Sequence, residues 1–149
     1  MIANNSIQTG IPGLSVSSES VDSRLLFIKY MKDTDSVTIS GWSIHDDIPT
    51  YYETLMNETQ SHLELRSGLV CNIQLELFNA STVKYLFKFI KIFNQNSARG
   101  KDVKINWVVK NKDQDMIDTG LDLKEFCDFE FDVTNYDGDY VSTGTYAIA

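Results

Sequence analysis

The fold is decided by residues 69–93, LVCNIQLELFNASTVKYLFKFIKIF, which predict a strand, a polar turn and a helix in succession. Every second residue of the strand is apolar, as expected when one face is covered: Cys71, Ile73, Leu75 and Leu77. The helix has an apolar inner stripe: Val83, Leu86, Phe87, Ile90 and Phe93, widened by Phe89 and Ile92. The turn between them, Asn79-Ala80-Ser81-Thr82, gathers free backbone N–H groups where an anion or a modified hydroxyl could bind.

A second strand follows this helix and carries the same alternation. Its apolar residues are Val103, Ile105, Trp107 and Val109, which lie opposite polar neighbours. Central strands covered on both faces would instead be continuous apolar runs. A strand, helix and strand in this order favour a parallel pair with a right-handed crossover. If successive crossovers lie on one face, the sequence predicts an α/β two-layer fold, a mixed sheet of about 4–6 strands with helices mainly on one face.

The N-terminal half adds a hairpin and another helix. Leu25–Met31 and Ser36–Ser40 predict the two strands of the hairpin. Asp47 is a good N-cap, and Pro49 is tolerated in a first turn because its missing N–H has no partner there. The helix that begins here is predicted to run to about Leu65.

The C-terminal part is predicted to close the sheet. Asn111–Gly120 is acidic and indicates a short helix or turn, and Leu121–Cys127 adds a last helical turn or two. A closing strand follows, in which Phe129, Phe131 and Val133 alternate with Glu130 and Asp132.

The length of 149 residues predicts a single domain, residues 1–149, with a core of about 24–133. The segment before it is a loose start that adds one edge strand near Thr9–Ser17. The 134–149 tail forms either an extra hairpin or a flexible end.

The net charge of -8 argues against non-specific nucleic-acid binding, because phosphates favour a basic surface. Lys84, Lys88 and Lys91 share one helix without an acid, and we interpret them first as a solvated face. Cys71 and Cys127 lie far apart in apolar segments, so we expect both to be buried and reduced. No apolar run approaches the roughly 20 residues that span a bilayer, so we expect a cytoplasmic protein without membrane contact.

Few residues suggest catalysis or metal binding. His62 falls near the apolar side of its helix, which favours a packing role, and His45 adjoins a helix start. Two histidines and two separated cysteines do not indicate a zinc site. Counted from Asp113, an EF-hand loop would need glycine and glutamate where Asp118 and Lys124 stand. We therefore predict no enzyme activity, no metal and no cofactor.

The polar turn has a plain interpretation, in which Asn79 is only a helix N-cap that accepts from the N–H of Ser81 or Thr82. On this interpretation the chain is a small-ligand-binding or structural interaction module. The residues alone leave this open beside a binding or switching site.

Several short motifs resemble, in order and spacing, those of the SiaC-type regulatory phosphoproteins. They are Gly41, Ser43–Asp47, Leu77–Thr82, Trp107, and Asp113–Met116 followed by Gly120 and Asp122. The resemblance covers roughly residues 36–133. It implies a fold similar to the STAS domain of anti-sigma-factor antagonists.

The resemblance also implies a partner switch in cyclic di-GMP signalling. In the family, a kinase phosphorylates the turn at the helix start and a PP2C-type phosphatase reverses the modification. The unmodified form binds and activates a diguanylate cyclase. A phosphate suits such control, since it adds about -1.5 to -2 charge to a surface that must fit a partner.

The position that matches the family's phosphorylated threonine is Ala80, which has no hydroxyl. Either Ser81, which we prefer, or Thr82 is then the acceptor, or the chain is locked unphosphorylated or is an engineered variant. The resemblance implies a partner-binding surface formed by Trp42, Ser43, His45, Asp46, Asp47, Asn79, Ala80 and Lys84. His45 and Ile44 stand where the family usually has proline and tyrosine.

Overall fold

The strand, turn and helix of residues 69–93 form the centre of an α/β fold. The structure, a computed structural model, describes residues 25–135. The strands are β1 (Leu26–Met31), β2 (Ser36–Ser43), β3 (Gly68–Phe78), β4 (Asp102–Val109) and β5 (Glu130–Asn135). The helices are α1 (Ile48–Leu65), α2 (Ala80–Ala98) and α3 (Gln114–Lys124), with a 3-10 turn at Lys32–Thr34. The predicted edge strand near Thr9–Ser17 and residues 136–149 of the tail lie outside the described residues.

The five strands lie in the sheet in the order in which they occur in the chain, β1-β2-β3-β4-β5. β1 pairs with β2 antiparallel, which confirms the hairpin, and the other three pairs are parallel. Crossovers between parallel strands are right-handed in almost all proteins, and successive crossovers of one hand that advance in one direction place their helices on the same face. The predicted two-layer fold with a mixed sheet is therefore confirmed.

The core lies between this sheet face and the helices. Its largest fully buried side chains are Trp107, Tyr52, Phe89, Phe93 and Phe131. The other face of β2, β3 and β4 is largely polar, and there Asn106 Nδ2 donates to Asn72 Oδ1 at 2.8 Å. The alternation in the sequence thus identified the face of these strands that is covered.

At β5 the predicted alternation of apolar and polar residues does not describe the burial. Asp132 lies on the polar face beside Glu130, as predicted, but it is buried there, with only 3% of its surface exposed. Lys104 Nζ lies 3.2 Å from Asp132 Oδ2 and 3.3 Å from Glu130 Oε2. Burial by itself would lower the pKa of Lys104, but the hydrogen bonds and charges of these two carboxylates raise it overall. A buried carboxylate is tolerated here because it is paired.

Helix α1 begins and ends where the sequence predicted, but its N-cap differs in detail. Asp47 occupies the N-cap position, yet its carboxylate accepts from the Tyr51 hydroxyl at 3.4 Å rather than capping a backbone N–H. His62, in the last turn, is buried: its Nε2 lies 3.1 Å from the Gly68 carbonyl and 2.9 Å from Asp35 Oδ1. Its Nδ1 is hydrogen-bonded to the Tyr30 hydroxyl. The packing role expected for His62 is confirmed.

Helix α2 extends one turn beyond the predicted end near Gln95, and its buried stripe is rotated. Phe87 was predicted to face inward, but it is 40% exposed, and Val83 is half-buried. Tyr85 and Asn96 are buried on the inner side instead. Phe87 packs edge to face on Phe126 at a centroid distance of 5.0 Å, which gives its ring a partner outside the core.

A β-bulge in β3 corrects the prediction for Leu77. Gly41 and Trp42 are consecutive in β2, but they pair with Leu75 and Leu77, so Glu76 is an extra residue in β3. One inserted residue reverses the alternation of the side chains that follow it. Leu77 therefore lies on the polar face and is 42% exposed, whereas Phe78 turns inward and packs on Trp107.

Helix α3 is one continuous helix, where the sequence suggested two short pieces. Its N-cap is Asp113, whose Oδ1 accepts from the N–H of Met116 at 3.2 Å. Trp107 Nε1 donates to the carbonyl of Met116 at 2.9 Å, and its ring lies directly against Gly120. This close approach explains why a glycine is needed on the inner side of α3.

Both cysteines are free thiols, but they differ in exposure. Cys71 is buried as expected, whereas Cys127 is only half-buried. No helix in the part of the chain that the structure describes is long and apolar enough to cross a membrane.

Candidate functional site

The candidate site lies at the sheet edge formed by the carboxyl ends of β2 and β3. Because these strands are parallel and Ser43 pairs with Phe78, the segments that follow both strands meet at this edge. One is the junction Ile44–Asp47, and the other is the turn Asn79–Thr82. Ligands of parallel α/β sheets are commonly bound at such an edge.

The turn is held by Asn79. Its Oδ1 accepts from the N–H of Thr82 at 3.0 Å, which confirms the predicted N-cap of α2. Asn79 and Ala80 are themselves exposed. The cap thus fixes the backbone of the turn while it leaves its outer surface open.

Thr82 is the centre of a buried hydroxyl network that joins β2, α1 and α2. Its Oγ1 donates to the Ser43 carbonyl at 2.6 Å and lies 2.6 Å from Ser43 Oγ. Ser43 Oγ lies 2.9 Å from the Tyr52 hydroxyl. All three groups are satisfied if Tyr52 donates to Ser43 Oγ and Ser43 donates to Thr82 Oγ1. Burial raises the pKa of Tyr52, so the Tyr52 hydroxyl keeps its proton.

This network separates the two hydroxyls that sequence analysis left as alternatives. Thr82 is fully buried, and its hydroxyl is occupied by Ser43 and Asn79. Ser81 is half-buried on the outer side of the first turn, and its hydroxyl has no hydrogen-bond partner within residues 25–135. A modifying enzyme would therefore meet Ser81 without first breaking a buried contact.

The Trp42–Asp47 junction is mixed in its exposure. Asp46 and Asp47 are exposed, and Trp42 and His45 are half-buried. Ser43 is buried within the hydroxyl network, so it positions the turn and has no free surface of its own. Lys84 is exposed on α2 one turn beyond Ser81.

Leu77 is a surface residue at this edge that sequence analysis missed. The bulge at Glu76 makes it the register partner of Trp42, so an aromatic and an aliphatic side chain lie side by side on the open sheet face. No signal in the sequence marks the bulge, because the apolar alternation continues through it. Together Trp42 and Leu77 form a small apolar surface beside the turn.

A cavity of about 410 Å³ lies between the carboxyl ends of β3 and β4. Its lining mixes polar and apolar side chains: Leu75, Glu76, Lys110, Asn111, Asp113 and Met116. Lys110 Nζ and Glu76 Oε2 form an ion pair at 3.2 Å in its wall. The cavity is adjacent to the bulge, and it could hold a small polar ligand.

His62 lies at the wrong end of the sheet to act on Ser81. It contacts Gly68 at the start of β3, whereas Ser81 follows the end of the same strand, about 30 Å away at 3.3 Å per residue. No group of three metal-ligating side chains occurs within residues 25–135.

The fold and the turn define a class of protein: a small α/β domain with a capped, exposed strand-to-helix turn at the carboxyl edge of its sheet. The family model described as "SiaC family regulatory phosphoprotein" matches residues 25–136. The chain therefore belongs to the SiaC family, and the match is somewhat wider than the region on which the motifs were recognised.

Solved structures agree with this assignment. The chain is similar to SiaC of Pseudomonas aeruginosa with a TM-score of 0.69 and 14% identity, over 78% of this chain and 94% of that one. It is also similar to a chain in the crystal structure of the diguanylate cyclase SiaD in complex with its activator SiaC, from the same organism. That match has a TM-score of 0.72 and 14% identity, over 77% of this chain and 95% of that one. A comparison with curated proteins found no match.

Proposed function

We propose that this protein is a non-enzymatic partner switch in cytoplasmic cyclic di-GMP signalling. In its unmodified form it binds and regulates a diguanylate cyclase, and phosphorylation of Ser81 controls that binding. Membership of the SiaC family supports a regulatory role. The complex of SiaC with the cyclase SiaD supports the choice of partner.

The observation that carries this proposal is the contrast between two adjacent hydroxyls. Ser81 is on the outer surface of the first turn of α2, and Thr82 is fixed in the buried network. A phosphate on Ser81 would lie at the positive end of the α2 dipole, where backbone N–H groups stabilise an anion. Ser81 would then be the phosphoacceptor in place of Ala80, which stands at the family's acceptor position and has no hydroxyl.

The phosphate would act through the surface around the turn. Trp42, Leu77, Asn79 and Ala80 supply exposed or half-exposed contacts there, and His45, Asp46, Asp47 and Lys84 extend them. A doubly charged group at Ser81 would have to be desolvated when a partner covers this surface, which disfavours the complex. A Ser/Thr kinase and a PP2C-type phosphatase complete the proposed cycle.

The proposal is tested by incubating the protein with its cognate kinase and locating the phosphate by mass spectrometry. We expect phosphate on Ser81, its absence in Ser81→Ala, and its retention in Thr82→Ser, which keeps the buried hydroxyl. Binding to the cyclase should survive in Ser81→Ala and fall about tenfold or more in the phosphorylated protein. Phosphate found only on Thr82, or outside Asn79–Thr82, would refute the proposed switch.

A second candidate, a small-ligand-binding module in which the turn is only a cap, is favoured by the cavity beside Glu76 and Lys110. A thermal-shift screen of small polar ligands separates the two candidates, because a ligand that binds the native state raises its midpoint. A large shift that is abolished by Lys110→Ala, with no cyclase binding, would favour the second candidate.

A further inference from the structure

Four exposed residues form a basic and aromatic stripe on the outer side of α2. They are Lys84, Phe87, Lys88 and Lys91, and we call them the α2 stripe. Their spacing of three, four and seven residues places them on one helix face, over about 10 Å of the axis. The stripe points away from the buried residues of α2 and belongs to neither the hydroxyl network nor the cavity.

The charge of the α2 stripe is opposite to that of the whole molecule. The chain has a net charge of -8, yet α2 contains three lysines and no acidic residue. Lys88 Nζ lies 4.9 Å from the centre of the Tyr85 ring, an arrangement that orients its ammonium by a cation–π contact. Most of this acidic protein would repel an acidic partner, whereas the α2 stripe would attract it. The stripe therefore favours the binding of an acidic partner at this place on the surface.

An aromatic pair joins the α2 stripe to the residues that follow α3. Phe87 and Phe126 are 40% and 58% exposed and pack edge to face at 5.0 Å. Phe126 follows the end of α3 and is held there, since Asn94 Nδ2 donates to its carbonyl at 2.9 Å. Fixed, partly exposed aromatic rings are the residues on which protein interfaces commonly depend.

We propose that the α2 stripe and Phe126 bind an acidic amphipathic helix of a protein partner. Carboxylates at helical spacing would pair with Lys84, Lys88 and Lys91, and an apolar side chain between them would cover the Phe87 and Phe126 rings. The lysine stems add apolar area around this contact. The binding mode is that of an amphipathic helix laid against a complementary surface.

A second copy of this chain fits the surface less well. The acidic residues of α3, Asp115, Asp118 and Asp122, could pair with the lysines, but none of the exposed residues of α3 is a large apolar one. Two partly exposed phenylalanine rings also offer far less than the roughly 800 Å² per partner of a stable interface. These observations favour a transient contact with another protein.

The α2 stripe also gives the phosphate a local target, and this step rests on the proposed function. Ser81 precedes Lys84 by three residues, so the two side chains are neighbours on the helix surface. A phosphate on Ser81 would pair with Lys84 and would compete with the carboxylates of the partner. Phosphorylation would then weaken binding by occupying the basic surface as well as by its bulk.

The test measures binding of a fluorescein-labelled synthetic helix of about 18 residues by fluorescence anisotropy. One face of this peptide carries glutamates with a central leucine. The controls are a scrambled peptide of the same composition and a peptide in which lysines replace the glutamates. We expect saturable binding of the acidic amphipathic peptide to the unphosphorylated protein, and weaker binding as salt rises from about 0.15 M to about 0.5 M.

Three variants locate the binding surface. Lys88→Glu and Phe87→Ser should each weaken binding about tenfold or more. Lys32→Glu, the same charge change at an exposed lysine outside α2, should change it less than about twofold. Circular dichroism melts of all three verify that they are folded.

Four outcomes would overturn the inference. They are absence of saturable binding, equal binding of the scrambled peptide, equal losses in Lys32→Glu and Lys88→Glu, and a dimer in sedimentation that Lys88→Glu dissociates. The assay contains neither kinase nor phosphate. If Ser81 is not phosphorylated, the proposed function fails but the peptide-binding result still stands. If the peptide does not bind, this inference fails but the phosphorylation result still stands.

Discussion

At the scale of single residues, the structure depends on a few side chains whose partners are fixed. Asn79 caps α2, and Gly120 makes room for Trp107. Both positions were singled out from the sequence, Asn79 as a cap and Gly120 within a family motif. Only the structure shows the contact that explains the glycine.

Replacing Gly120 by alanine should destabilise the protein by about 1–3 kcal/mol. A Cβ there would lie 2.6 Å from Trp107 Nε1, so the ring must shift and its hydrogen bond to the Met116 carbonyl is strained. Urea unfolding followed by tryptophan fluorescence measures the change. Asp118→Ala, at an exposed site on the same helix, is the control. Equal stability of the two variants would contradict this account.

Replacing Asn79 by alanine should cost about 1 kcal/mol, because the N–H of Thr82 loses its acceptor. Asn79→Asp keeps an acceptor oxygen and should stay within a few tenths of a kcal/mol of the parent. The free energy of unfolding from urea titration distinguishes them. If both variants lose the same stability, the side chain of Asn79 does not act as the cap.

At the scale of elements, the hydroxyl network fastens the start of α2 to β2 and α1. Thr82→Val keeps the shape of the side chain but removes the hydrogen bonds of Thr82 to Ser43 Oγ and to the Ser43 carbonyl, and Ser43 Oγ keeps only Tyr52. We expect a loss of about 1–3 kcal/mol of unfolding free energy. In a double-mutant cycle with Tyr52→Phe, the two losses should be non-additive by about 0.5 kcal/mol or more. Additive losses would show that the three hydroxyls act separately.

The sequence predicted the existence and order of these elements well, because apolar periodicity follows burial in β2, β3, β4 and α1. The prediction from sequence failed where a local irregularity or contact changes the direction in which a side chain points. The bulge at Glu76 turned Leu77 outward, and Phe87 found an aromatic partner outside the core. Ser81 and Thr82 also remained alternatives, since nothing in the turn sequence reveals the network contributed by Ser43 and Tyr52, which are distant in the chain.

At the scale of the whole molecule, burial raises the pKa of a thiol in the core, Cys71, and of a phenol packed against it, Tyr30. Burial raises the pKa of the Cys71 thiol above its ordinary value of 9.0. Burial, and then the charges of Glu58 and Asp35, raise the pKa of Tyr30 to about 12. The unfolded chain ionises these groups at lower pH than the folded protein does, so alkali favours unfolding.

The free energy of unfolding should therefore be independent of these groups below pH 9 and fall as the pH rises above it. Tyr30 contributes to this fall between its ordinary pKa of 10.0 and about 12. Urea titrations at a series of alkaline pH values measure the slope. Tyr30→Phe should show a shallower decline than the parent above pH 10.0. Parallel curves for the two proteins would contradict the assignment.

The sequential strand order β1-β2-β3-β4-β5 has a kinetic consequence. Each strand pairs with the strand that precedes it in the chain, so no pairing has to wait for a distant segment. Each closure spans one strand–helix–strand unit, as in the pairing of Ser36 with Val70, rather than the whole chain. The folding rate falls as the sequence separation of the contacts rises, so this order avoids the slowest closures. During synthesis the hairpin of β1 and β2 can form first and serve as a template, to which each strand–helix unit adds as it leaves the ribosome. Until β5 has been added, an incomplete chain exposes the edge of β4, and the addition of β5 covers that edge.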